Sequence, residues 1–284
     1  MVERDADLVT PTVLEDGVWA PDTTALMRRL LRPGMTFVDA GANIGYFSVL
    51  ASTLVGPSGR VLSVEADPAN VAILRANLSR NGCTNATVFP VAAWSERTKL
   101  NLRTNPEGGA GSSVGMDDPG SAGLEAFRID QLVEGRVDFL KVDCESTDHM
   151  VIRGASDLFD RNPRLIATVE FNPDHVSHTG HSPSEILGFY RELGLLPYEL
   201  TYWGRLKPTS FERLTSSGDA GGGVIYYFAL TRKRPGRLVA GYYLAERLFP
   251  RRAFERLLKA GGDLLEHVSA RIRPRIRRRD RVDR

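Results

Sequence analysis

Residues 36–47 read Thr-Phe-Val-Asp-Ala-Gly-Ala-Asn-Ile-Gly-Tyr-Phe. An apolar run through Phe37 and Val38 ends in Asp39. Gly41, Asn43 and Gly45 follow at alternate positions, and an apolar-rich helical segment begins at once. That order is a strand, a tight glycine turn and a helix start. Gly41 supplies backbone angles closed to residues that carry a side chain, and Gly45 lets the helix close against the strand. Free amides at the helix start favour a carboxylate or another electron-rich group. The stretch predicts an α/β fold with a nucleotide-type pocket at the carboxyl end of its first strand.

A dinucleotide pocket needs Gly-x-Gly-x-x-Gly. Here the pattern is Asp-x-Gly-x-Asn-x-Gly, and Tyr46 stands where the third dinucleotide glycine falls. Asp39 would repel a pyrophosphate and suits a ligand with an ammonium group. S-adenosylmethionine has one, together with a sulfonium and a carboxylate. A second short strand, Arg60–Val64, ends in Glu65, 26 residues after Asp39. An acid there is placed to accept hydrogen bonds from both hydroxyls of a ribose. Glu65 alone fits NAD equally well; its pairing with Asp39 is what discriminates. Asp67 and Pro68 then read as the N-cap and first position of the next helix.

The chain of 284 residues, 42% hydrophobic, suffices for one sizeable α/β domain plus an extension. No apolar run approaches the roughly 18–20 residues of a membrane span. The polar, acidic start (Glu3, Asp5, Asp7) has no signal-peptide pattern. The two cysteines, Cys83 and Cys144, are not at metal-type spacing. A reducing, cytoplasmic setting is therefore expected. Charge is divided unevenly. Residues 232–284 carry 17 Arg/Lys against 6 Asp/Glu, while the preceding 231 residues carry 20 against 29, consistent with the overall +2. The expected organisation is a domain over 1–231, with a helical lead-in to about residue 34, and a basic helical extension over 232–284.

The pattern predicts a lead-in helix over Thr23–Leu31. Strands are predicted at 35–39, 60–65, 86–91, 136–143, 164–171, 197–203 and 223–231, with helices at 45–55, 68–81, 146–159 and 183–194. Residues 104–123, rich in Gly, Ser, Asp and Pro, read as a long functional loop. Alternating β and α points to a mostly parallel sheet with helices on both faces. The last two strands lack a clear helix between them and read as an antiparallel edge hairpin, an arrangement found in methyltransferases and unusual for dinucleotide folds.

Two strand ends are rich in polar groups. Val137–Val142 leads into Asp143-Cys-Glu145-Ser-Thr-Asp148-His149, and Leu165–Val169 into Glu170-Phe-Asn172-Pro-Asp174-His175. Ligands bind beyond the carboxyl ends of strands in open parallel sheets, so these residues should border the cleft of Asp39 and Glu65. Asp143 and Glu145 share a face if the strand continues, and Glu170 and Asn172 repeat that spacing. Asp143, Glu170 and Asn172 could hold a hard cation such as Mg²⁺. Alternatively, Asp143 or Glu170, with His149 or His175 behind them, could take a proton from a substrate hydroxyl. Glu145 and Asp148 also read as caps of the following helix. The spacing of His175, His178 and His181 is not that of a zinc site.

Taken together, Val38–Ser48, Val64-Glu-Ala-Asp-Pro68, Leu74–Asn77 and Phe139-Leu-Lys-Val-Asp-Cys-Glu145 resemble the FkbM family of S-adenosylmethionine-dependent methyltransferases. The likeness covers roughly residues 30–200. It implies a class I methyltransferase (Rossmann-like) fold with a seven-stranded sheet, and methyl transfer to a hydroxyl of a sugar, polyketide or other secondary metabolite. By the same resemblance Asp39, Gly41, Asn43 and Gly45 line the methionine end of the cofactor, Glu65 the ribose, and Ala92 and Ala93 the adenine. Asp143 belongs to the cofactor side as well as to the chemistry. One departure stands out. The family pattern after the lysine is Asp-x-Glu-Gly-x-Glu, whereas here Ser146 replaces the glycine and Asp148 the final glutamate.

The expected chemistry is direct displacement, with acid/base or metal assistance to the acceptor. The loop 104–123 and the segment 172–183 are expected to close over a small-molecule or glycan acceptor. N-methylation of a small molecule or peptide, a non-catalytic cofactor-binding module and an NAD-dependent oxidoreductase are the alternatives. The missing third glycine and the Asn at 43 disfavour the last. The extension reads as a helical segment packing on the body or on a second copy, or as a tether to an anionic membrane surface. No nucleic-acid partner is expected, because the body is acidic.

Overall fold

The Asp67 carboxylate accepts a hydrogen bond from the Ala69 amide at 2.8 Å, so helix α4 (Pro68–Arg80) begins where its cap and proline dictate. Helix α8 (Pro183–Glu192) starts on a reciprocal box. The Glu185 amide donates to Ser182 Oγ and the Ser182 amide to the Glu185 carboxylate. The computed structural model describes residues 9–103, 113–115, 123–145, 147–172, 176, 180–218 and 226–235. Two helices lead in, α1 (Val9–Asp16) and α2 (Pro21–Leu30). Then come β1 (Thr36–Ala40), α3 (Tyr46–Val55), β2 (Arg60–Val64), α4 and β3 (Ala86–Phe89). Four short strands follow: β4 (Ala92–Ala93), β5 (Thr98–Arg103), β6 (Ser113–Gly115) and β7 (Leu124–Phe127). The rest is α5 (Ile129–Leu132), β8 (Phe139–Val142), α6 (Asp148–Arg153), α7 (Ser156–Arg161), β9 (Ile166–Phe171), α8, β10 (Leu196–Leu200), β11 (Leu206–Pro208), α9 (Phe211–Gly218) and β12 (Tyr226–Thr231).

The main sheet runs β11-β10-β12-β9-β8-β1-β2-β3, and β4-β7-β5-β6 form a second, smaller sheet. Strands β3, β2, β1, β8 and β9 are mutually parallel, and β12 is antiparallel to both β9 and β10. This is the expected class I frame with β11 added at its edge. The hairpin expected from the last two strands is present as the β10–β12 pair, but β11 and α9 lie between them in the chain.

The predicted helix over 146–159 is two helices. Gly154 is the C-cap of α6, and a Cβ there would lie 1.9 Å from the Trp94 carbonyl oxygen, so the end of α6 packs closely against the backbone just past β4. Of the predicted loop 104–123, residues 113–115 pair with β5, while 104–112 and 116–122 lie outside the described residues. His175, His178, Ser146 and residues 236–284 lie outside them as well.

Alternation along the strands divides the core into two. Val38, Ala40, Leu140, Val142, Ala167 and Val169 face the cluster that includes Leu158, Phe159 and Tyr190. Phe37, Val61, Phe139 and Ile166 face α2 and α3 through Leu26, Met27, Phe47 and Ala51. On this second face the strands change character towards their carboxyl ends. One step beyond the apolar row, the register aligns Ser63, Asp39, Lys141 and Thr168. Period-two alternation then places Glu65, Gly41, Asp143 and Glu170 at the strand tips, with Tyr227 opposite Glu170 on β12. The site lies there.

Candidate active site

The glycine turn is held to β2 by the Gly41 and Ala42 amides, both donating to the Val64 carbonyl at 3.0 Å. Gly41 has a φ of 75°, and a Cβ there would lie 1.9 Å from the Asp143 carbonyl oxygen. Glycine is thus required both by the conformation and by the close approach of the β8 tip. Asn43 takes a φ of 50°, its side-chain oxygen accepting from the Ile44 amide at 2.7 Å. The Asn43 amide in turn donates to Glu65 at 2.7 Å, and the Asp67 amide donates to the other Glu65 oxygen at 2.8 Å. Glu65 is therefore fixed at the mouth of the turn, and burial raises its carboxyl above the usual range against those two amides. Helix α3 starts on Gly45 with no side-chain cap, so its first amides are available to an electron-rich group.

Behind the turn is a buried charge network. Asp39 is fully buried; it accepts from Ser48 Oγ at 2.7 Å, and that hydroxyl also meets Ser63 Oγ at 2.7 Å. Lys141 Nζ donates to the Gly41 carbonyl at 2.8 Å and lies 3.3 Å from Asp143 and 3.5 Å from Asp39. Burial would lower the Lys141 ammonium, but Asp143 and Asp39 outweigh it and raise it above its ordinary value. Burial likewise raises the Asp39 carboxyl, opposed by Lys141 and Ser48. The expectation that Asp39 offers its charge directly to an ammonium-bearing ligand needs correcting. Its side chain has no exposed surface and is turned into the protein, whereas Asp143 presents a carboxylate that is 22% exposed.

Asp143 and Glu170 form a hydrogen-bonded pair across β8 and β9. Burial opposes the charge of Asp143, yet Lys141 and the hydrogen bond from Glu170 hold its carboxyl below the usual range. Burial and the neighbouring Asp143 push Glu170 the other way, so it is the protonated member. Asp148 explains how the pair is assembled. Its carboxylate accepts from the Cys144 amide and from the Glu170 amide, each at 3.2 Å, and so ties the β8 tip to β9. Burial and Asp143 push this carboxyl up to about 7. Glu145 has a φ of 51°, so strand geometry ends before it and it does not share a strand face with Asp143.

Other sequence-derived candidates lie on the neighbouring elements. His149 lies on α6 with its ring edge-on to His181, 5.1 Å between centroids. Asn172 is buried just past β9. Among the described residues no group of three or more His, Cys, Asp or Glu is arranged to hold a metal ion. Ala92 and Ala93 pair with β7 and are buried in core clusters, which turns their side chains into packing. Sequence reasoning passed over Lys141, Ser48 and Tyr227. Lys141 left one trace, a cation inside an otherwise apolar strand. Tyr227 left none, because its place opposite Glu170 depends on strand pairing; burial and then Asp143 raise its phenol, keeping it a donor.

The chain matches a family model, the Methyltransferase FkbM domain, over residues 39–196, more than half its length. A protein-L-isoaspartate O-methyltransferase of Methanococcoides burtonii is 36% identical over 85 residues, 29% of this chain and 42% of that protein. A probable cobalt-precorrin-6B C(15)-methyltransferase (decarboxylating) of Sulfolobus acidocaldarius is 34% identical over 77 residues, 27% of this chain and 40% of the relative. The chain thus spans less than half the length of these relatives. Among solved structures, a methyltransferase FkbM from Methylobacillus flagellatus overlays with a TM-score of 0.42 at 15% identity, covering 78% of this chain and 60% of that one. No described helix is long and apolar enough to cross a membrane.

Proposed function

This chain belongs to the FkbM methyltransferase family, and from that premise we propose that it transfers a methyl group from S-adenosylmethionine to a hydroxyl of a small-molecule or glycan acceptor. The observation that carries the reading is the tip row Glu65, Gly41, Asp143 and Glu170, beside an uncapped helix start. These groups fit the polar ends of the cofactor. The α3 amides suit its carboxylate, the ionised Asp143 its cationic end, and Glu65 the ribose hydroxyls. Bound there, S-adenosylmethionine would supply a methyl group already activated by its sulfonium.

The protein's part is then to hold the acceptor in line and to accept a proton. The Asp143–Glu170 pair holds one proton and one negative charge. It has room for the proton that an acceptor hydroxyl loses, which would leave both carboxyls neutral until the pair returns a proton to solvent. Lys141 keeps Asp143 charged before that transfer, and Asp148 keeps Glu170 in reach of it.

The test is formation of S-adenosylhomocysteine from S-adenosylmethionine across a panel of sugars, polyketides and amines. The reading expects turnover with a hydroxyl acceptor, its loss in Glu170→Ala while the cofactor still binds, and its loss in Asp143→Ala together with weaker cofactor binding. Turnover that survives both changes would remove the pair from the chemistry. Turnover with amines alone would move the acceptor class to nitrogen.

A further inference from the structure

The two ends of the main sheet carry opposite charge. The strand tips present Glu65, Asp143 and Glu170. At the other end three of the five parallel strands carry a cation at their first residue or within three residues before it. Arg60 opens β2, where it pairs with Thr36 of β1. Arg136 precedes Asp138, whose carboxylate accepts the Thr36 amide at 3.0 Å, and Arg164 precedes the first residue of β9. Strand β12 runs the other way, so Lys233 and Arg234, just past it, reach the same end. All five are exposed. With β12, β9, β8, β1 and β2 side by side and strands about 4.8 Å apart, the cations form a row roughly 20 Å long. Acids interrupt it: Asp138 pairs with Arg136, and Asp160 with Arg232.

Two further features lie at this end. Leu196, which opens β10 and pairs with Thr231, is one of two exposed large hydrophobics among the described residues. The described chain also ends here, at Pro235, and residues 236–284 carry 14 Arg/Lys against 6 Asp/Glu. Their sequence interleaves this charge with apolar residues at helical spacing, among them Leu244, Leu248 and Leu258.

We propose that the amino-terminal end of the sheet is a docking surface for an anionic lipid membrane. The row of cations meets headgroup phosphates, Leu196 reaches the interface, and the carboxylate-rich pocket faces away from the negative surface. The other exposed large hydrophobic is Leu14, so the described surface has no exposed aromatic on which a single-stranded nucleic acid could stack. A polybasic surface next to anionic lipid gains roughly fivefold in affinity per cation, and the gain is screened by salt.

The test is co-sedimentation of the full chain with vesicles of equal parts phosphatidylglycerol and phosphatidylcholine, against pure phosphatidylcholine. The triple variant Arg164→Glu, Lys233→Glu, Arg234→Glu changes the row. A matched variant, Arg75→Glu, Arg97→Glu, Lys99→Glu, changes net charge equally on other exposed faces. Wild type should bind the anionic vesicles only, and less at high salt. The row variant should lose more than about tenfold in affinity relative to the matched one, with both melting like wild type. A melting shift confined to the row variant would be met by repeating the comparison with Lys233→Gln, Arg234→Gln beyond the end of β12. Absence of wild-type binding, equal loss in the two variants, or preference for an RNA oligonucleotide over the vesicles would overturn the proposal.

Discussion

Replacing Lys141 by Met removes one cation from between two carboxylates and leaves a side chain of similar length. The ammonium lies 3.3 Å from Asp143 and 3.5 Å from Asp39, and donates to the Gly41 carbonyl at 2.8 Å. Breaking a buried pair by removing one partner costs about 3–5 kcal/mol, because the remaining charge is left uncompensated. Here the two carboxylates differ. Asp143 is 22% exposed and regains some water, whereas Asp39 is fully buried and retains only its Ser48 and Ser63 hydroxyl chain. Asp39 therefore carries most of the penalty and escapes it by taking a proton. Its carboxyl is already raised by burial in the intact protein, and loss of Lys141 raises it further. A raised folded-state pKa means that the folded protein binds the proton more tightly than the unfolded chain. Stability then falls as pH rises through that window, at about 1.36 kcal/mol per pH unit for one proton. Urea unfolding should show a deficit of about 3–5 kcal/mol near pH 8 that shrinks by more than about 1 kcal/mol near pH 5.5. Adding Asp39→Asn should recover part of the loss near pH 8. A deficit under about 1 kcal/mol, or one equal at both pH values, would refute the buried-triad reasoning.

Gly41→Ala should destabilise by about 2–4 kcal/mol and weaken nucleoside binding, because the new methyl meets backbone at 1.9 Å and not a movable side chain. Gly82→Ala, with a φ of 65° and open space around it, is the urea-melt control and should cost only about 1 kcal/mol. Asp148→Asn removes a carboxyl whose pKa in the folded protein is about 7. Because that value is raised, the wild type loses stability as pH rises from about 4 to about 7. The variant's stability should decline less across that window in the same melts. Asp67→Ala deletes the α4 cap and should cost about 1 kcal/mol in urea unfolding.

What was legible in the sequence was whatever depends on neighbours along the chain. The turn at Gly41, Asn43 and Gly45, the Asp67 cap and the Glu65 strand end lie within one strand–helix–strand unit, and their local geometry follows their order. The second sheet was hidden because β4 is two residues long and its partner β7 comes 31 residues later. The crowding at Gly154 was hidden for a related reason, since the backbone that leaves no room for a side chain there, at Trp94 and Arg128, comes from distant parts of the chain. Within the site, Asp148 reads as a helix-start acid, yet half its work is done on Glu170, 22 residues on. Asp39 illustrates the converse. Its position at the strand end was legible, but its burial behind Lys141 and Ser48 was set by alternation across three strands and a helix.

The most direct measurement is calorimetric titration of the full chain with S-adenosylhomocysteine, with NAD as control and Glu65→Gln as the site variant. The account predicts saturable binding of S-adenosylhomocysteine, none of NAD, and roughly tenfold or greater weakening in Glu65→Gln, since a charge-assisted bond to a hydroxyl is worth about 1.5–3 kcal/mol. Binding of NAD, or S-adenosylhomocysteine binding that Glu65→Gln leaves unchanged, would contradict it.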